Sequence, residues 1–264
     1  MLVKEIDHKE VNPQTSKLAD WVPMPRYLLR SWVVKRLIRQ LQPKTFVEIG
    51  AASGHMAQWM SDQRQMSGVA VEISNDALEM MQERLASNDR VTIFDQDSRN
   101  LTAQSDLLLS MEVLEHIEDD DGALQNWFEL IRPGGHLILS VPAHQRRFSA
   151  EDEMVGHFRR YEKNDLAAQL QKIGFEQPRI MNYGYPLGLI LKWLRTKVAS
   201  HSLTTDDRSR QQRTESSGVD RKRWLSFKWL LNDFVMLPFN LLQMPFLRFD
   251  WSDGYIAVAR KPRS

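Results

Sequence analysis

Hydrophobic positions along the chain follow two alternating spacings, and this alternation predicts an α/β fold. Short apolar runs of the kind that form buried strands are separated by segments in which apolar residues recur every three or four positions, as on one face of a helix. The predicted strands cover residues 45–49, 69–73, 91–94, 107–109, 136–141 and 254–259. Such a rhythm is typical of a doubly wound, mainly parallel sheet, which binds ligands at the carboxyl ends of its strands.

Helices are predicted between these strands, and several carry start or stop signals. Pro25 suits a first helical position, and Pro43 ends the same pattern. Ser53, Ser74 and Asn164 are potential N-caps of later helices. One further helix, expected to stop at the Pro-Gly pair 133–134, is predicted to bury Leu124, Trp127, Phe128 and Ile131.

Composition is that of an ordinary globular protein and excludes several kinds of chemistry. Apolar residues make up 42% and charged residues 26% of the chain, while the formal net charge of +1 gives no bias towards nucleic acid. The absence of cysteine excludes disulfides, thiolate metal sites and a cysteine nucleophile. Neither a secretory leader nor a membrane-spanning segment is predicted, so we expect a cytoplasmic protein.

A turn rich in small residues follows the first predicted strand. In FVEIGAASGH, residues 46–55, Gly50, Ala52 and Gly54 let the backbone approach a ligand closely, although a turn of this kind also occurs without one. Glu72 ends the second strand, where a carboxylate can accept hydrogen bonds from two ribose hydroxyls. Asp97 follows the third strand, where a carboxylate can accept from an adenine amino group. Together these residues predict a nucleoside site.

The same segments resemble the motifs of class I S-adenosylmethionine-dependent methyltransferases. FVEIGAASGH resembles motif I, VAVEIS resembles motif II, and DQDS resembles the adenine loop. DLLLSMEVLEHIED at 106–119 and LIRPGGHLILSVP at 130–142 resemble the motifs that follow in the type 11 and type 23 branches, which include ubiquinone-biosynthesis enzymes. The resemblance covers residues 45–180. It implies a Rossmann-like sheet of seven strands, the last antiparallel, with S-adenosylmethionine as cofactor.

The resemblance also assigns residues to the methyl donor. It implies donor contacts from Glu48, Gly50, Ala52, Gly54, Glu72, Ile73, Asp97, Ser98 and Met111. The family usually has glycine where Ala52 stands, which affects the expected affinity more than the identity of the donor. A dehydrogenase is disfavoured because its G-x-G-x-x-G fingerprint is not matched by small residues at alternate positions.

The acceptor side is less well defined. Methyl transfer needs mainly alignment of acceptor and donor, and a phenolic acceptor would also benefit from a general base. His116, His144 and His157 are candidates, and related sequences carry a segment similar to GHFRRY at 156–161 on the acceptor side, so His157, Arg160 and Tyr161 are preferred. The acidic run 118–121 is expected to serve a helix N-terminus, and no metal is predicted.

The nature of the acceptor group follows in part from the fourth strand. The strand continues as SMEV rather than the N/D/S-P-P-Y/F of enzymes that methylate nucleic-acid or glutamine nitrogens. Oxygen or carbon acceptors are therefore favoured.

An insertion separates the core from the closing strand. We divide the chain into an N-terminal segment and helix (1–44), a donor-binding core (45–184), a helical insertion (185–252) with a mobile loop at 200–223, and a closing strand and tail (253–264). The insertion contains four of the eight tryptophans, and residues 192–228 carry ten Lys or Arg against four Asp or Glu. Tryptophan beside apolar helices with cationic flanks is typical of interfacial helices.

This composition leaves three functions open. The first is an O- or C-methyltransferase for a lipid-like or lipid-linked acceptor, peripheral to an anionic membrane surface at its inner face. The second is a soluble small-molecule methyltransferase in which the insertion caps the pocket or forms a dimer contact. The third is a catalytically silent donor-binding partner subunit. The acceptor's identity and the oligomeric state are left open.

Overall fold

The computed structural model describes Leu18, residues 21–190 and residues 232–263. Seven strands form its sheet: β1 (Thr45–Ile49), β2 (Ser67–Val71), β3 (Val91–Phe94), β4 (Ser105–Met111), β5 (Ile131–Pro142), β6 (Glu176–Asn182) and β7 (Gly254–Arg260). The described α-helices are α1 (Pro25–Leu41), α2 (His55–Arg64), α3 (Asn75–Leu85), α4 (Asp120–Glu129), α5 (Ala150–Met154), α6 (Lys163–Ile173) and α7 (Leu237–Leu242).

The strands lie in the order β3-β2-β1-β4-β5-β7-β6. The pairs along β3-β2-β1-β4-β5 are parallel, and β7 runs antiparallel to both of its neighbours. The predicted fold class, a seven-stranded Rossmann-like sheet with an antiparallel last strand, is confirmed. The carboxyl ends of β1, β2 and β4 consequently meet at one edge, where a ligand site is expected.

Helices cover both faces of the sheet because successive strand residues point to opposite sides. Val47 and Leu108 pack with α4 and α6, whereas their neighbours Phe46 and Leu107 pack with α1, α2 and α3. Both faces are therefore buried, which explains why the central strands are apolar runs rather than alternating patterns.

Two features of the sheet depart from the sequence prediction. β5 begins at Ile131, which pairs with Ser105, and Ile131 is thus a strand residue rather than part of α4. β6 escaped prediction because it carries Pro178 and a residue of positive φ, Gln177. Proline is tolerated there because β6 lies at the edge of the sheet, where a missing N–H breaks no ladder.

The predicted caps are also only partly right. The N-cap of α2 is Gly54 rather than Ser53, and that of α6 is Glu162 rather than Asn164. Ser74 does occupy the N-cap position of α3, but its side chain makes no capping hydrogen bond. Backbone geometry therefore decides where these helices begin.

The insertion is described only at its two ends. Helical residues begin at Leu187 and reach Ile190. α7 has Pro238 as its second residue and ends before Pro245. The rest of the predicted helix at 185–199 and the predicted loop at 200–223 lie outside the described residues. Among the residues that are described, none of the helices is both long and apolar enough to cross a bilayer.

Candidate active site

The turn between β1 and α2, residues 50–54, is called the glycine turn below. Gly50, Ala52 and Gly54 all have left-handed backbones, with φ of 69°, 48° and 71°. Glycine adopts this region without steric cost, and a Cβ at Gly50 would in addition collide with the side chain of Val113. The turn is therefore packed directly against the segment that follows β4.

Glu72 at the end of β2 holds the glycine turn in place. Its Oε2 accepts a hydrogen bond from the backbone N–H of Ala52 at 2.8 Å, and its Oε1 accepts from Ile73 at 2.8 Å and Ser74 at 2.9 Å. A carboxylate has about four lone-pair positions, so it can still accept from ribose hydroxyls. Ile73 beside it is 58% exposed, an apolar surface that an adenine ring could cover.

Glu48 lies buried near the end of β1. Burial raises the pKa of its carboxyl to about 8, against an opposing hydrogen bond from the backbone of Ala57, and the nearby Glu72 raises the pKa further. Its Oε2 accepts no hydrogen bond from any described residue. A cationic group placed there would relieve an unsatisfied acceptor, and the amino group of S-adenosylmethionine is such a cation.

The remaining predicted donor residues are less clearly placed. Asp97 accepts from the side chain of Arg99 at 2.9–3.0 Å and caps a short 3₁₀ turn, and these bonds lower its pKa. Ser98 donates to Asn126 at 3.2 Å. Met111 is half-buried at the end of β4. The fit to the donor therefore rests on Glu48, the glycine turn and Glu72, and the roles of Asp97, Ser98 and Met111 stay predictions.

Glu115, His116 and His157 come together beyond β4 and are called the histidine cluster. One ligand atom from each lies within 4.8 Å of the others, and the two imidazole rings meet edge to face at 4.7 Å. His157 Nε2 lies 3.8 Å from Glu115 Oε1, while its Nδ1 contacts Asp152 Oδ1 at 2.9 Å. The structure thus brings two predicted acceptor-side histidines to one place.

Burial favours the neutral forms of Glu115 and His116 in this cluster. Glu115 is fully buried, and neither of its carboxylate oxygens accepts a hydrogen bond from the described residues. Burial, together with the nearby Glu112, raises the pKa of Glu115 well above its usual value. Burial and the neighbouring His157 lower the pKa of His116 to about 4, so that His116 is neutral at neutral pH.

Two imidazoles and a carboxylate are a donor set that divalent transition metals bind. No metal was predicted from the sequence, because only the acidic run 118–121 suggested a cation and residues 116 and 157 are far apart in the chain. The unsatisfied oxygens of Glu115 are the observation that fits a cation here.

Arg160 and Tyr161, the other predicted acceptor residues, are buried in the protein's own contacts. Arg160 donates to Asp152 Oδ1 at 2.9 Å and to Asp253 Oδ1 at 2.9 Å, which ties α5 to the start of β7. The Tyr161 hydroxyl donates to Asp120 at 2.9 Å, and burial followed by the charge of Asp120 raises its pKa. These contacts support a positioning role for both residues, and contact of either with the acceptor stays a prediction.

His144 belongs to a separate place as well. It is buried beside Tyr255, and its ring nitrogens lie 3.6 Å from a carboxylate oxygen of Glu162 and 3.5 Å from one of Asp250.

Arg26, Arg30 and Glu112, which lie together beyond β4, were not predicted from the sequence. The available signal was a pair of arginines four residues apart in the otherwise apolar face of a helix.

Comparison with known proteins agrees with this arrangement. A family model described as a methyltransferase domain matches residues 24–179, more than half of the chain. No curated protein matches. The boundaries of the four segments and the ubiquinone-biosynthesis subtype stay predictions.

Solved structures share the fold at low identity. Phosphoethanolamine N-methyltransferase 2 of Haemonchus contortus, in complex with phosphomonomethylethanolamine and S-adenosylhomocysteine, superposes with a TM-score of 0.58 and 17% identity, over 88% of this chain and 52% of that one. The chain thus spans about half the length of that enzyme. A protein described as a sarcosine dimethylglycine methyltransferase from Galdieria sulphuraria gives 0.56 at 12% identity, covering 88% and 85%. The [4+2]-cyclase SpnF gives 0.55 at 14%, covering 87% and 81%.

The SpnF match shows that the fold alone does not determine the reaction. The family match identifies the class of protein, which the fold alone does not. It extends from α1 through most of β6 and includes the glycine turn and the histidine cluster. The chain therefore belongs to the class I S-adenosylmethionine-dependent methyltransferases.

Proposed function

We propose that this protein transfers the methyl group of S-adenosylmethionine to an oxygen or carbon of a small, lipid-like or lipid-linked acceptor. The observation that carries the proposal is the closeness of the histidine cluster to the glycine turn. Val113, two residues before Glu115, packs against Gly50. Groups suited to a donor and groups suited to an acceptor proton therefore lie on either side of one short segment.

The donor is held by residues at the ends of β1 and β2. With the donor bound, Glu72 would accept from the ribose and Ile73 would cover the adenine. Glu48 would ionise beside the amino group of the methionine part. When bound, S-adenosylmethionine supplies a methyl group on a positively charged sulfur, from which it leaves readily. The protein has mainly to align the acceptor with that carbon and exclude water, and alignment alone can supply several kcal/mol of the barrier.

For a hydroxyl acceptor, His157 is placed to take the proton. Asp152 Oδ1 contacts His157 Nδ1 at 2.9 Å and, as a carboxylate, favours the tautomer with the hydrogen on Nδ1. Nε2 would then be free to accept the proton of the acceptor hydroxyl, while a bound donor would supply the methyl group through formation of the O–CH₃ bond and cleavage of the S–CH₃ bond. If Glu115, His116 and His157 held a divalent cation, that cation would make the hydroxyl more acidic, and His157 Nε2 would act as a ligand instead of as the base.

The lipid-like acceptor is supported by an apolar surface near β7. Ten large hydrophobic side chains are exposed in the described residues, and seven of them lie between 234 and 251. This apolar surface consists of Phe234, Leu237, Phe239, Leu241, Leu242, Phe249 and Trp251. Scattered exposed hydrophobic residues are ordinary, but a cluster of this kind marks a site for a lipid, a membrane or a protein.

The basic segment supports a membrane location over a soluble cap. Residues 192–228 carry six more positive than negative charges, and they precede the apolar surface directly in the sequence. Cationic residues near an anionic leaflet add about 1 kcal/mol each before screening. We therefore propose that the protein works in the cytoplasm at the inner face of the membrane.

Transfer of a labelled methyl group tests the proposal. Purified protein and labelled S-adenosylmethionine are incubated with lipid extracts and, separately, with water-soluble extracts of cells. Label in the lipid extract supports the proposal, and label only in the soluble extract supports the soluble enzyme. Donor binding without label in either extract indicates the non-catalytic partner subunit. The Glu72→Ala variant is the matched control, because it is expected to lose label in every case.

A further inference from the structure

Two arginines of α1 converge on the residue that follows β4. Arg26 and Arg30 lie four residues apart and therefore on one face of the helix. Arg26 Nη2 lies 3.1 Å from Glu112 Oε2, and Arg30 Nη1 lies 3.2 Å from Glu112 Oε1. The single carboxylate of Glu112 thus occupies a fork made by two guanidinium groups.

Glu112 is held in this place at some conformational cost. Its φ of 59° lies in the left-handed region, which non-glycine residues adopt rarely and which is found repeatedly at functional sites. Tyr183 and Ser140 donate to its Oε1, both at 3.2 Å. Burial opposes ionisation of Glu112, but Arg26 and Arg30 outweigh it and hold its pKa well below the usual range.

The surrounding ion pairs leave a positive excess. In the described part of the chain, contacts of 4.0 Å or less link four arginines to three carboxylates in one connected group. The arginines are Arg26, Arg30, Arg147 and Arg160, and the carboxylates are Glu112, Asp152 and Asp253. His157, which lies 2.9 Å from Asp152 and 3.8 Å from Glu115, extends the group to a fourth carboxylate. Burial raises the pKa of Glu115 well above its usual value, so the four arginines face three ionised carboxylates.

One of the two arginines has an unused hydrogen-bond donor, and the other is accessible to a ligand. Arg30 is 8% exposed, and its Nε makes no hydrogen bond with the described residues. The side chain of Arg26 is 32% exposed, so a ligand can reach it. Both stand beside Glu112, the neighbour of Val113, and hence on the acceptor side of the glycine turn.

We propose that Arg26 and Arg30 form an anion-binding subsite that recognises a carboxylate or phosphate group of the acceptor. Glu112 occupies this fork in the absence of ligand, and the acceptor's anionic group takes its place or shares it. Planar guanidinium pairs suit both anions because they donate in parallel to two oxygens. The inference rests on the proposed function and adds to it the charge of the substrate.

Calorimetric titration with two probes, inorganic phosphate and benzoate, tests the subsite at low ionic strength. Both the wild type and the variants are titrated after saturation with S-adenosylhomocysteine. We expect Arg26→Gln to weaken binding of the tighter-binding probe by about tenfold or more. The affinity of Arg26→Lys should lie between those of the wild type and Arg26→Gln, because lysine keeps the positive charge but loses the planar guanidinium group. Arg248→Gln, which removes an exposed arginine elsewhere, is the matched control and is expected to change nothing.

Glu112→Gln gives the sharpest result. It removes the competing carboxylate, so the subsite predicts binding several-fold tighter than in the wild type, whereas a purely structural ion pair predicts no gain. Tighter binding of phosphate identifies a phosphorylated acceptor, and tighter binding of benzoate a carboxylate. The proposal is overturned if neither probe binds, if Arg248→Gln weakens binding as much as Arg26→Gln, or if Glu112→Gln does not tighten it. Failure of S-adenosylhomocysteine to bind would instead overturn the proposed function.

Discussion

Replacing Glu48 by glutamine is expected to change how the stability of the protein depends on pH. The pKa of Glu48 is about 8 in the folded protein against an ordinary value of 4.5. Between these values the folded chain keeps a proton that the unfolded chain has released, so the free energy of unfolding falls as pH rises from 4.5 to 8. The full shift corresponds to about 5 kcal/mol at about 1.36 kcal/mol per unit.

Glu48→Gln removes this loss because the amide does not ionise. The variant is expected to match the wild type to within about 1 kcal/mol at pH 5 and to exceed its unfolding free energy by about 4 kcal/mol at pH 8. Urea unfolding at pH 5, 6, 7 and 8 measures the difference. Glu176→Gln, which changes an exposed carboxylate at the start of β6, is the control for net charge. Parallel curves for the wild type and Glu48→Gln would refute the assignment of a protonated, buried Glu48.

Saturating S-adenosylmethionine should reduce the same pH dependence, since a cationic amino group beside Glu48 favours the carboxylate. Donor binding at pH 6 to 7 is then accompanied by release of up to one proton, which calorimetry in buffers of different ionisation enthalpy detects. Glu48→Gln should bind the donor more weakly and release no proton. Equal proton release by both proteins would place the titrating group elsewhere.

Four further predictions concern the site and the apolar surface. Glu72→Ala is expected to weaken donor binding by about 2–3 kcal/mol in calorimetry, since it removes charge-assisted hydrogen bonds, and unchanged affinity would contradict the ribose role. His157→Ala should lower turnover while leaving the donor Kd intact; an equal loss of both would indicate a structural role. A chelator should lower turnover if the histidine cluster holds a cation, and Glu115→Gln should then abolish the response to added metal. Phe234→Ser with Trp251→Ser should reduce sedimentation with anionic vesicles, which should also weaken with salt, and binding to neutral vesicles alone would contradict the membrane proposal.

Much of the fold was predictable because its strands and helices are strongly patterned. The apolar runs of β1 and β3 gave their observed bounds, and Pro25 marked the start of α1. β6 was missed because its pattern is weak: Pro178 interrupts it. The strand forms nonetheless because it lies at the edge of the sheet, where one of its sides makes no strand–strand hydrogen bonds. The Pro-Gly pair at 133–134 was predicted to stop the preceding helix, whereas it lies inside β5, which begins at Ile131.

The donor side of the site was more predictable than the acceptor side because its residues follow strand ends in a fixed order. Glu72 could be predicted from its position at the end of a strand, whereas Glu48 was predicted from the family resemblance. The histidine cluster joins residues 115, 116 and 157, whose meeting depends on how α5 returns to the sheet, and no local pattern reports that path. The acceptor-side roles of Arg160 and Tyr161 stay predictions, because a polar side chain in a motif gives no indication whether it faces a ligand or a buried carboxylate.

The position of β7 between β5 and β6 has a consequence for the order in which the protein folds. In the sheet, β6 has β7 as its neighbour on one side and none on the other. Residues 176–182 therefore cannot join the sheet until residues 254–260 have been synthesised and have paired with β5. The intervening segment must first close a long loop, which is slow because its entropy is lost before the strands gain any contact. During synthesis β5 thus presents an unpaired apolar edge for the time needed to make more than a hundred residues, and this interval is when the chain depends most on chaperones.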